Sequence, residues 1–202
     1  MAQYKLTYFD ASVSRGEECR MALFLAGVEF EDRRLAGDAW PALKASTPFG
    51  ALPILESPGK PTLAQSNAIL TYVGRSYGLH PTDPWEAARH ESILQSVEDL
   101  RAALAPSGKI ADPEEKKRAR EELASGLIAT WGAQIEAQIR GPFVGGSVLQ
   151  VADIKLFQIS SSFRRGALDH IPADVFAKFT KLHALHDVVA AHPKIAEWRA
   201  KR

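Results

Sequence analysis

One tyrosine lies where this sequence could build a site for an anion. Tyr8 stands near the end of residues 4–9, whose alternating hydrophobicity is typical of a β-strand. Residues 10–14 predict a loop into a helix, and the N–H groups at a helix start attract negative charge. A tyrosine hydroxyl at that junction can donate a hydrogen bond to a thiolate without losing its own proton. Such a bond lowers the pKa of a thiol from its ordinary value of about 8.5.

The elements around Tyr8 predict a small mixed sheet. A strand, a helix and a strand in close succession form a βαβ unit, whose two strands lie parallel. The turn-forming residues 57–60 predict an antiparallel hairpin between the next two strands. The predicted elements are a strand (4–9), a helix (17–27) with Gly27 as its C-terminal cap, a strand (28–35), two hairpin strands (53–56 and 62–63) and a helix (66–77).

The character of the sequence changes after Gly78. Residues 79–84 contain two prolines and an aspartate, which is typical of a linker. Beyond the linker, helical patterns dominate and strand patterns nearly vanish. The predicted helices cover residues 85–107, 113–139, 151–164, 174–190 and 193–200. The sequence therefore predicts an α/β domain over 1–78 and an all-α domain over 85–202.

Composition narrows the classes of function. The net charge of +1 offers no basic surface for nucleic acid, and no apolar run is long enough to span a membrane. The first residues lack the pattern of a secretory signal, and the single cysteine, Cys19, excludes an intramolecular disulfide. We therefore expect a cytoplasmic protein. His183 and His186 share a helix face, but no acid or cysteine nearby completes a metal site, so no metal is predicted.

Several motifs in this order resemble the cytosolic glutathione transferases, and the sigma class most of all. The match is dense over residues 4–80 and looser downstream. It implies a thioredoxin-like domain at 1–78 that binds glutathione, a linker at 79–84, and a helical domain at 85–202 that forms the electrophile pocket. The residues that carry the resemblance are Tyr4–Phe9, Arg15-x-Glu17-x-x-Arg20, Trp40-x-x-x-Lys44, Thr47–Leu55, Leu63-x-Gln65-Ser66, Ala152-Asp153 and His192-Pro193-x-Ile195-x-x-Trp198.

The resemblance assigns roles to matching positions. Tyr8 would stabilise the thiolate of glutathione, with Arg15 beside it as a second catalytic residue. Leu52 would precede a cis-proline and pair its backbone with the cysteinyl main chain, as an added strand does. Phe9 and Leu104 would line the electrophile pocket. The implied glutathione-binding residues are Trp40, Lys44, Ala51, Leu52, Pro53, Gln65, Ser66 and Asp99.

Three positions depart from the family pattern or leave alternatives open. The loop after Tyr8 is one residue longer than the sigma pattern and contains Ser12 and Ser14, either of which could activate sulfur instead of Tyr8. Ala51 replaces the usual Gln or Lys, so one side-chain contact to glutathione is lost. Asp99 is expected to reach the glutathione of a partner subunit in a homodimer, and its neighbour Glu98 is the alternative.

The expected activity is conjugation of glutathione to small apolar electrophiles. Glutathione is the co-substrate, and no further cofactor is predicted. Two alternatives remain: a non-catalytic binding or structural protein of the same fold, and a specialised glutathione-dependent isomerase. Cys19 lies at least one turn inside the first helix, which predicts a buried structural thiol rather than a nucleophile.

Overall fold

The computed structural model describes residues 2–201 of the 202-residue chain. Its contacts divide the chain into two units. The first is made of Met1–Thr82 together with His192–Arg202, and the second of Asp83–Ala191. The sequence had placed residues 192–202 in the helical domain, whereas their contacts assign them to the first unit.

The first unit is built around a four-stranded mixed sheet of strand order β2-β1-β3-β4. β1 pairs in parallel with β2, while β3 runs antiparallel to both β1 and β4. The predicted βαβ unit and hairpin are thereby confirmed. The elements of this unit are β1 (Tyr4–Phe9), α1 (Ser14–Leu25), β2 (Phe30–Leu35), α2 (Trp40–Lys44), β3 (Ile54–Glu56), β4 (Leu63–Ala64), α3 (Ser66–Ser76) and α9 (Pro193–Ala200).

Side chains of β1, α1 and α3 form the core of the first unit, in which α1 packs against α3. Leu6 of β1, Leu23 of α1 and Val73 of α3 are completely buried. Gly27 ends α1 with a positive φ of 72°, and its N–H donates to the carbonyl of Phe24. A glycine is favoured there because it adopts this conformation without a steric penalty, so the predicted cap is confirmed.

α9 packs on α1 within the first unit. The indole N–H of Trp198 donates to Glu17 at 2.8 Å, and Lys194 donates to the carbonyl of Leu25 at 3.0 Å. The ring of Trp198 lies 5.1 Å from that of Phe24. These contacts give α9 a polar and an aromatic attachment to α1, which explains why the two helices belong to one unit.

The regular elements of the second unit are all helices over its described residues, apart from one isolated bridge between Phe143 and Gly146. Asp83 and Asp112 are the N-caps of α4 and α5, and each carboxylate accepts the backbone N–H of the residue three positions later. A proline follows each aspartate at the first helical position. No helix within residues 2–201 is both long and apolar enough to cross a membrane. The helices are α4 (Pro84–Leu104), α5 (Pro113–Leu123), α6 (Ala129–Gln138), α7 (Val151–Arg164) and α8 (Thr180–Ala191), with a π-helical segment at Ala124–Ile128.

α7 is the central helix of the second unit, since most of its residues are buried. Asp153 sits in its first turn, fully buried, and accepts the backbone N–H groups of Val144 and Gln150 at 2.8 Å each. Burial raises the pKa of Asp153 to about 7, and the N–H donors oppose that shift. Gln150 and Asp153 thus form a reciprocal capping box, in which the Gln150 side chain accepts from the N–H of Asp153 and the Asp153 carboxylate accepts from the N–H of Gln150.

Two predicted helix starts differ from the structure, and one short helix was not predicted. α1 begins at Ser14 rather than at residue 17, and the short helix α2 was not predicted. α8 begins at Thr180, six residues later than expected, because Glu136 of α6 caps it there. The Glu136 carboxylate accepts the N–H groups of Lys181 and Leu182 at 3.0 and 2.9 Å. A cap supplied from another helix leaves no local pattern in the sequence.

Candidate active site

Tyr8, Phe9 and Trp40 form a row of aromatic rings at one end of β1. Tyr8 is buried, with 9% of its surface exposed, and its ring meets that of Phe9 edge to face at 5.5 Å. Phe9 in turn meets Trp40, the first residue of α2, at 5.8 Å. The expected catalytic residue Tyr8 and the expected glutathione-binding residue Trp40 therefore lie together with Phe9, an expected residue of the electrophile pocket.

The ring of Tyr8 rests directly on the first turn of α1. A Cβ atom added to Gly16 would lie 2.0 Å from Cδ1 of Tyr8 and 2.1 Å from its Cγ. Only glycine permits so close an approach between ring and helix. The contact places Tyr8 beside the helix end that favours anions. Sequence reasoning assigned no role to Gly16.

The loop between β1 and α1 is held by Arg20, a residue that sequence reasoning quoted in a motif without assigning it a function. Its guanidinium is fully buried and donates to the carbonyls of Ala11 (2.7 Å) and Phe9 (3.2 Å). It also pairs with Asp32 of β2 at 2.8 Å. The sequence could have indicated this role, because an arginine buried among the apolar residues of α1 requires hydrogen-bonding partners.

The loop also contains the two serines and the arginine predicted near the sulfur. Ser12 and Ser14 are partly exposed, and Ser14 has a φ of 59°, a left-handed conformation that is uncommon for a residue other than glycine. Arg15 is the second residue of α1 and is also partly exposed. Ser14 and Arg15 open α1, and Ser12 lies in the loop two residues before the helix, so all three are close in sequence to the end of α1 against which Tyr8 packs.

Lys44 and Ala51 flank the turn that precedes β3. Lys44 is the last residue of α2 and is exposed, and its methylene chain passes close to Gly50, where an added Cβ would lie 3.5 Å from Cε. Ala51 is exposed. The side chain of Lys44, which carries a positive charge, therefore reaches the turn that contains Ala51.

The peptide bond between Leu52 and Pro53 is cis, as the resemblance implied. Leu52 is partly exposed and Pro53 is buried. The pair leads directly into β3, which pairs with β1 beside the segment that ends in Tyr8. The backbone of Leu52 thus lies just before an interior strand of the sheet, next to the end of β1 that carries Tyr8.

Gln65 and Ser66 form the junction between β4 and α3. Gln65 has φ 73° and ψ 118°, a sparsely populated conformation that costs of order 1–3 kcal/mol and tends to occur at functional sites. Ser66, the first residue of α3, is buried. Cys19 of α1 is completely buried beneath this junction, with its sulfur 4.0 Å from the carbonyl oxygen of Ser66. Its position inside α1 agrees with the structural thiol that the sequence predicted.

In the second unit, the structure distinguishes Glu98 from Asp99. Glu98 receives the buried ammonium of Lys155 at 2.5 Å and the guanidinium of Arg101 at 2.8 Å. Asp99 is exposed, and Gln95 donates to it from one turn earlier at 3.2 Å. Leu104, the last residue of α4, is buried with 7% of its surface exposed.

No group of three or more histidine, cysteine, aspartate or glutamate side chains in residues 2–201 could hold a metal ion. His186 instead packs its ring 4.8 Å from that of Phe157 and shares a 3.0 Å hydrogen bond with Ser161. His183 is exposed and lies 3.6 Å from Asp187.

A mixed βαβ-ββα sheet with a cis-proline before β3, followed by a helical unit, defines a two-domain protein of thioredoxin-like type. Family models agree with that description. The glutathione S-transferase N-terminal domain matches residues 4–75 and the glutathione S-transferase C-terminal domain matches residues 98–202. The chain belongs to the glutathione S-transferase family, as the sequence motifs predicted.

Individual relatives agree with this assignment. Glutathione S-transferase 1 of Ascaris suum is 45% identical over 127 residues, which span 61% of this chain and 61% of the relative, less than two thirds of its length. Hematopoietic prostaglandin D synthase of Gallus gallus is 35% identical over the whole of this chain and 98% of its own.

Solved structures share the fold over nearly the full length. Prostaglandin synthase D of Nilaparvata lugens has a TM-score of 0.87 at 30% identity, covering 99% of this chain and 98% of its own. A glutathione S-transferase of Necator americanus described as monomeric, Na-GST-3, has a TM-score of 0.82 at 30% identity, covering 99% and 97%.

Proposed function

We propose that this chain conjugates the thiolate of glutathione to small apolar electrophiles, and that the Tyr8 hydroxyl stabilises that thiolate. The observation that carries the proposal is the position of Tyr8, packed on the first turn of α1 in one row with Phe9 and Trp40. A hydrogen bond to the thiolate that lowers its pKa by one unit corresponds to about 1.4 kcal/mol. That shift brings the thiol pKa to about 7.5, so that about a quarter of the thiol is ionised at pH 7 instead of about 3%.

Glutathione would lie along the first unit, with residues 1–78 forming its binding domain. The backbone of Leu52, before the cis bond to Pro53, would pair with the cysteinyl main chain as an added strand. Gln65 and Ser66 would hold the γ-glutamyl carboxylate at the start of α3, where helix N–H groups favour anions. The strained backbone of Gln65 is consistent with a position selected for binding.

The glycyl end of glutathione would meet α2. Trp40 begins this short helix and Lys44 ends it, and the methylene chain of Lys44 passes close to Gly50 in the turn that leads to Leu52. Lys44 would act as a point charge on the glycyl carboxylate. Ala51 contributes backbone alone, and Arg15 would lie near the thiolate at the start of α1.

We further propose a homodimer in which Asp99 reaches the glutathione of the partner subunit. The charges around α4 favour Asp99 over Glu98, because Glu98 already neutralises buried Lys155 within its own chain. Phe49, with 68% of its surface exposed beside the Leu52 turn, is an apolar group suited to an interface. By the family resemblance, Phe9 of β1 and Leu104 of α4 would contact the electrophile, and residues 85–202 would supply the rest of its pocket.

A glutathione-dependent isomerase is the second candidate. It would use the same thiolate, and a relative and a structural neighbour named as prostaglandin D synthases favour it. The isomerase would return glutathione unchanged, whereas conjugation consumes it in the product. The second substrate also differs, and the pocket for it is decided by shape rather than by motif. For either activity we expect a cytoplasmic protein without a bound metal.

Retention on immobilised glutathione and turnover of a chlorodinitrobenzene test the main proposal. We expect the chain to be retained and active, and Tyr8→Phe to lose about a hundredfold or more in kcat, the range of a single lost transition-state hydrogen bond. The matched variants are Ser12→Ala and Ser14→Ala, which should keep their activity. No retention and no turnover would reject the proposal. Activity kept in Tyr8→Phe but lost in a serine variant would transfer the role to the loop.

The dimer proposal is tested by comparing two neighbouring acids. Asp99→Asn should raise KM for glutathione with little change in stability, since Asp99 is exposed. Glu98→Gln should instead lower the free energy of unfolding, because it leaves the Lys155 ammonium buried without its charged partner. Sedimentation equilibrium reports the oligomeric state. A monomer with normal turnover, or a KM effect confined to Glu98→Gln, would contradict the role of Asp99.

A further inference from the structure

Three tyrosine hydroxyls meet at the end of the first unit opposite to Tyr8. The hydroxyl of Tyr4, at the start of β1, lies 2.8 Å from that of Tyr72 and 3.0 Å from that of Tyr77, both carried by or adjoining α3. Four residues of strand separate Tyr4 from Tyr8, which is roughly 13 Å along β1. We call Tyr4, Tyr72 and Tyr77 the tyrosine cluster. It is separate from the candidate active site.

The hydroxyls of the tyrosine cluster differ in their hydrogen-bonding roles. Tyr4 is almost fully buried and has a single proton to donate, while the side-chain amide of Gln3 donates to it at 3.3 Å. Burial raises the pKa of Tyr4, so its hydroxyl keeps that proton. Tyr4 can then satisfy both neighbours only by donating to one and accepting from the other.

Tyr72 is the neighbour whose oxygen accepts a hydrogen bond from the hydroxyl of Tyr4. Lys60, in the turn between β3 and β4, places its ammonium 3.5 Å from the Tyr72 oxygen and 5.6 Å from the centre of its ring. The pKa of Tyr72 is held below its ordinary value, first by the hydrogen bond from Tyr4 and then by Lys60 and Ser76, against the effect of partial burial. Tyr77 shares the contact with Tyr4, but Lys60 is placed against Tyr72.

We propose that Tyr72 is a covalent modification site for hard electrophiles that attack phenolate oxygen, of which sulfonyl fluorides are the representative class. Its oxygen is surrounded by hydrogen-bond donors, its ring is partly exposed, and a lysine ammonium stabilises the negative charge that reaction requires. The chain thus has two nucleophilic positions of different character. One would be the soft sulfur of bound glutathione near Tyr8, and the other is the hard oxygen of Tyr72.

The reaction is a simple displacement at sulfur. Tyr72 loses its proton to water, and Tyr4 and Lys60 hold the resulting phenolate by hydrogen bonds. The phenolate oxygen attacks the sulfonyl sulfur, an S–O bond forms, the S–F bond breaks, and fluoride leaves. The product is an aryl sulfonate ester of Tyr72, with no change of oxidation state and no other reactant.

The experiment uses the full chain and an arylsulfonyl fluoride at neutral pH, with peptide mass spectrometry to locate the label. The chain has four tyrosines, Tyr4, Tyr8, Tyr72 and Tyr77. The label on each of the four can therefore be compared. We expect Tyr72 to react first. The Lys60 ammonium lies against the Tyr72 oxygen and favours its phenolate, so we expect Tyr72 to be labelled several-fold faster than Tyr77.

Two variants and one control identify the cause of this reactivity. Lys60→Met and Tyr4→Phe should each slow labelling of Tyr72 toward the rate of Tyr77. Tyr77→Phe should leave it unchanged, because the donors to Tyr72 remain. Thermal unfolding and retention on glutathione, unaffected in Lys60→Met, show that the fold persists. Labelling of Tyr72 no faster than that of Tyr77, or a rate unchanged in Lys60→Met, would overturn the proposal.

Discussion

At the scale of single residues, Tyr8 depends on the absence of a side chain at position 16. The ring lies on the backbone of α1 at a distance that no Cβ could occupy. A tyrosine fixed in this way loses little freedom when its hydroxyl meets an anion, because its orientation is already set. Pre-organisation of this kind is the main contribution that a protein makes to stabilising charge in a site.

Gly16→Ala should therefore disturb both stability and activity. Overpacking of this kind typically costs about 1–3 kcal/mol, and relief of the clash requires the Tyr8 ring to move. We expect a lower midpoint in urea unfolding and a lower kcat with a chlorodinitrobenzene. Gly37→Ala, in the same unit, is the matched control, since no heavy atom lies within 4 Å of its added Cβ. Equal stability of the two variants would show that the ring adjusts without cost.

At the scale of elements, β1, α1 and β2 are joined by a charged connection inside an apolar core. Arg20 of α1 bonds the carbonyls that follow β1 and pairs with Asp32 of β2, and Asp32 also receives Arg34 at 2.8 Å. Glu17, one turn before Arg20, lies 3.7 Å from its guanidinium. The loop after Tyr8 therefore owes its course to α1 and β2 rather than to its own sequence.

The two arginines that share Asp32 provide a comparison. Arg20→Met should destabilise the chain by about 3–5 kcal/mol, because it removes the guanidinium from the buried Glu17 carboxylate and from the carbonyls of Phe9 and Ala11. Arg34→Met should cost no more than about 1 kcal/mol, since Arg34 is partly exposed and solvent replaces its contacts. Urea unfolding of both variants measures the difference. Similar losses in the two would mean that Arg20 contributes no more than a surface ion pair.

At the scale of the whole molecule, the dependence of stability on pH has an identifiable source in Asp153. Its folded pKa of about 7 lies above the ordinary 3.8. Between those values the folded chain holds a proton that the unfolded chain has released, so each rise in pH lowers the contribution of Asp153 to the free energy of unfolding. The contribution is complete below pH 3.8 and is lost as the pH passes about 7.

Asp153→Asn removes this titration while keeping the shape of the side chain. The free energy of unfolding of the original chain minus that of the variant should fall with rising pH, by up to about 1.4 kcal/mol per pH unit in that window. Urea unfolding at several pH values measures it. A difference that stays constant or grows with pH would show that the N–H donors of Val144 and Gln150 outweigh burial.

The sequence predicted what depends on local pattern and on family motif. The order of strands and helices in the first unit, the cap at Gly27 and the cis bond at Leu52–Pro53 belong to this group. Gly16 and Arg20 could not be assigned, because their roles depend on contacts with β1 and β2. The start of α8 depends on Glu136, 45 residues before Lys181. Local periodicity carries no information about such partners.

The hydrogen bond between Trp198 and Glu17 spans 181 residues of chain. During synthesis at about 5–20 residues per second, Glu17 emerges roughly 10 to 40 seconds before its partner. Throughout that interval the charged side chains on α1 lack the indole and the aromatic cover that α9 brings. The first unit therefore completes its packing only after the helices of the second unit have been synthesised.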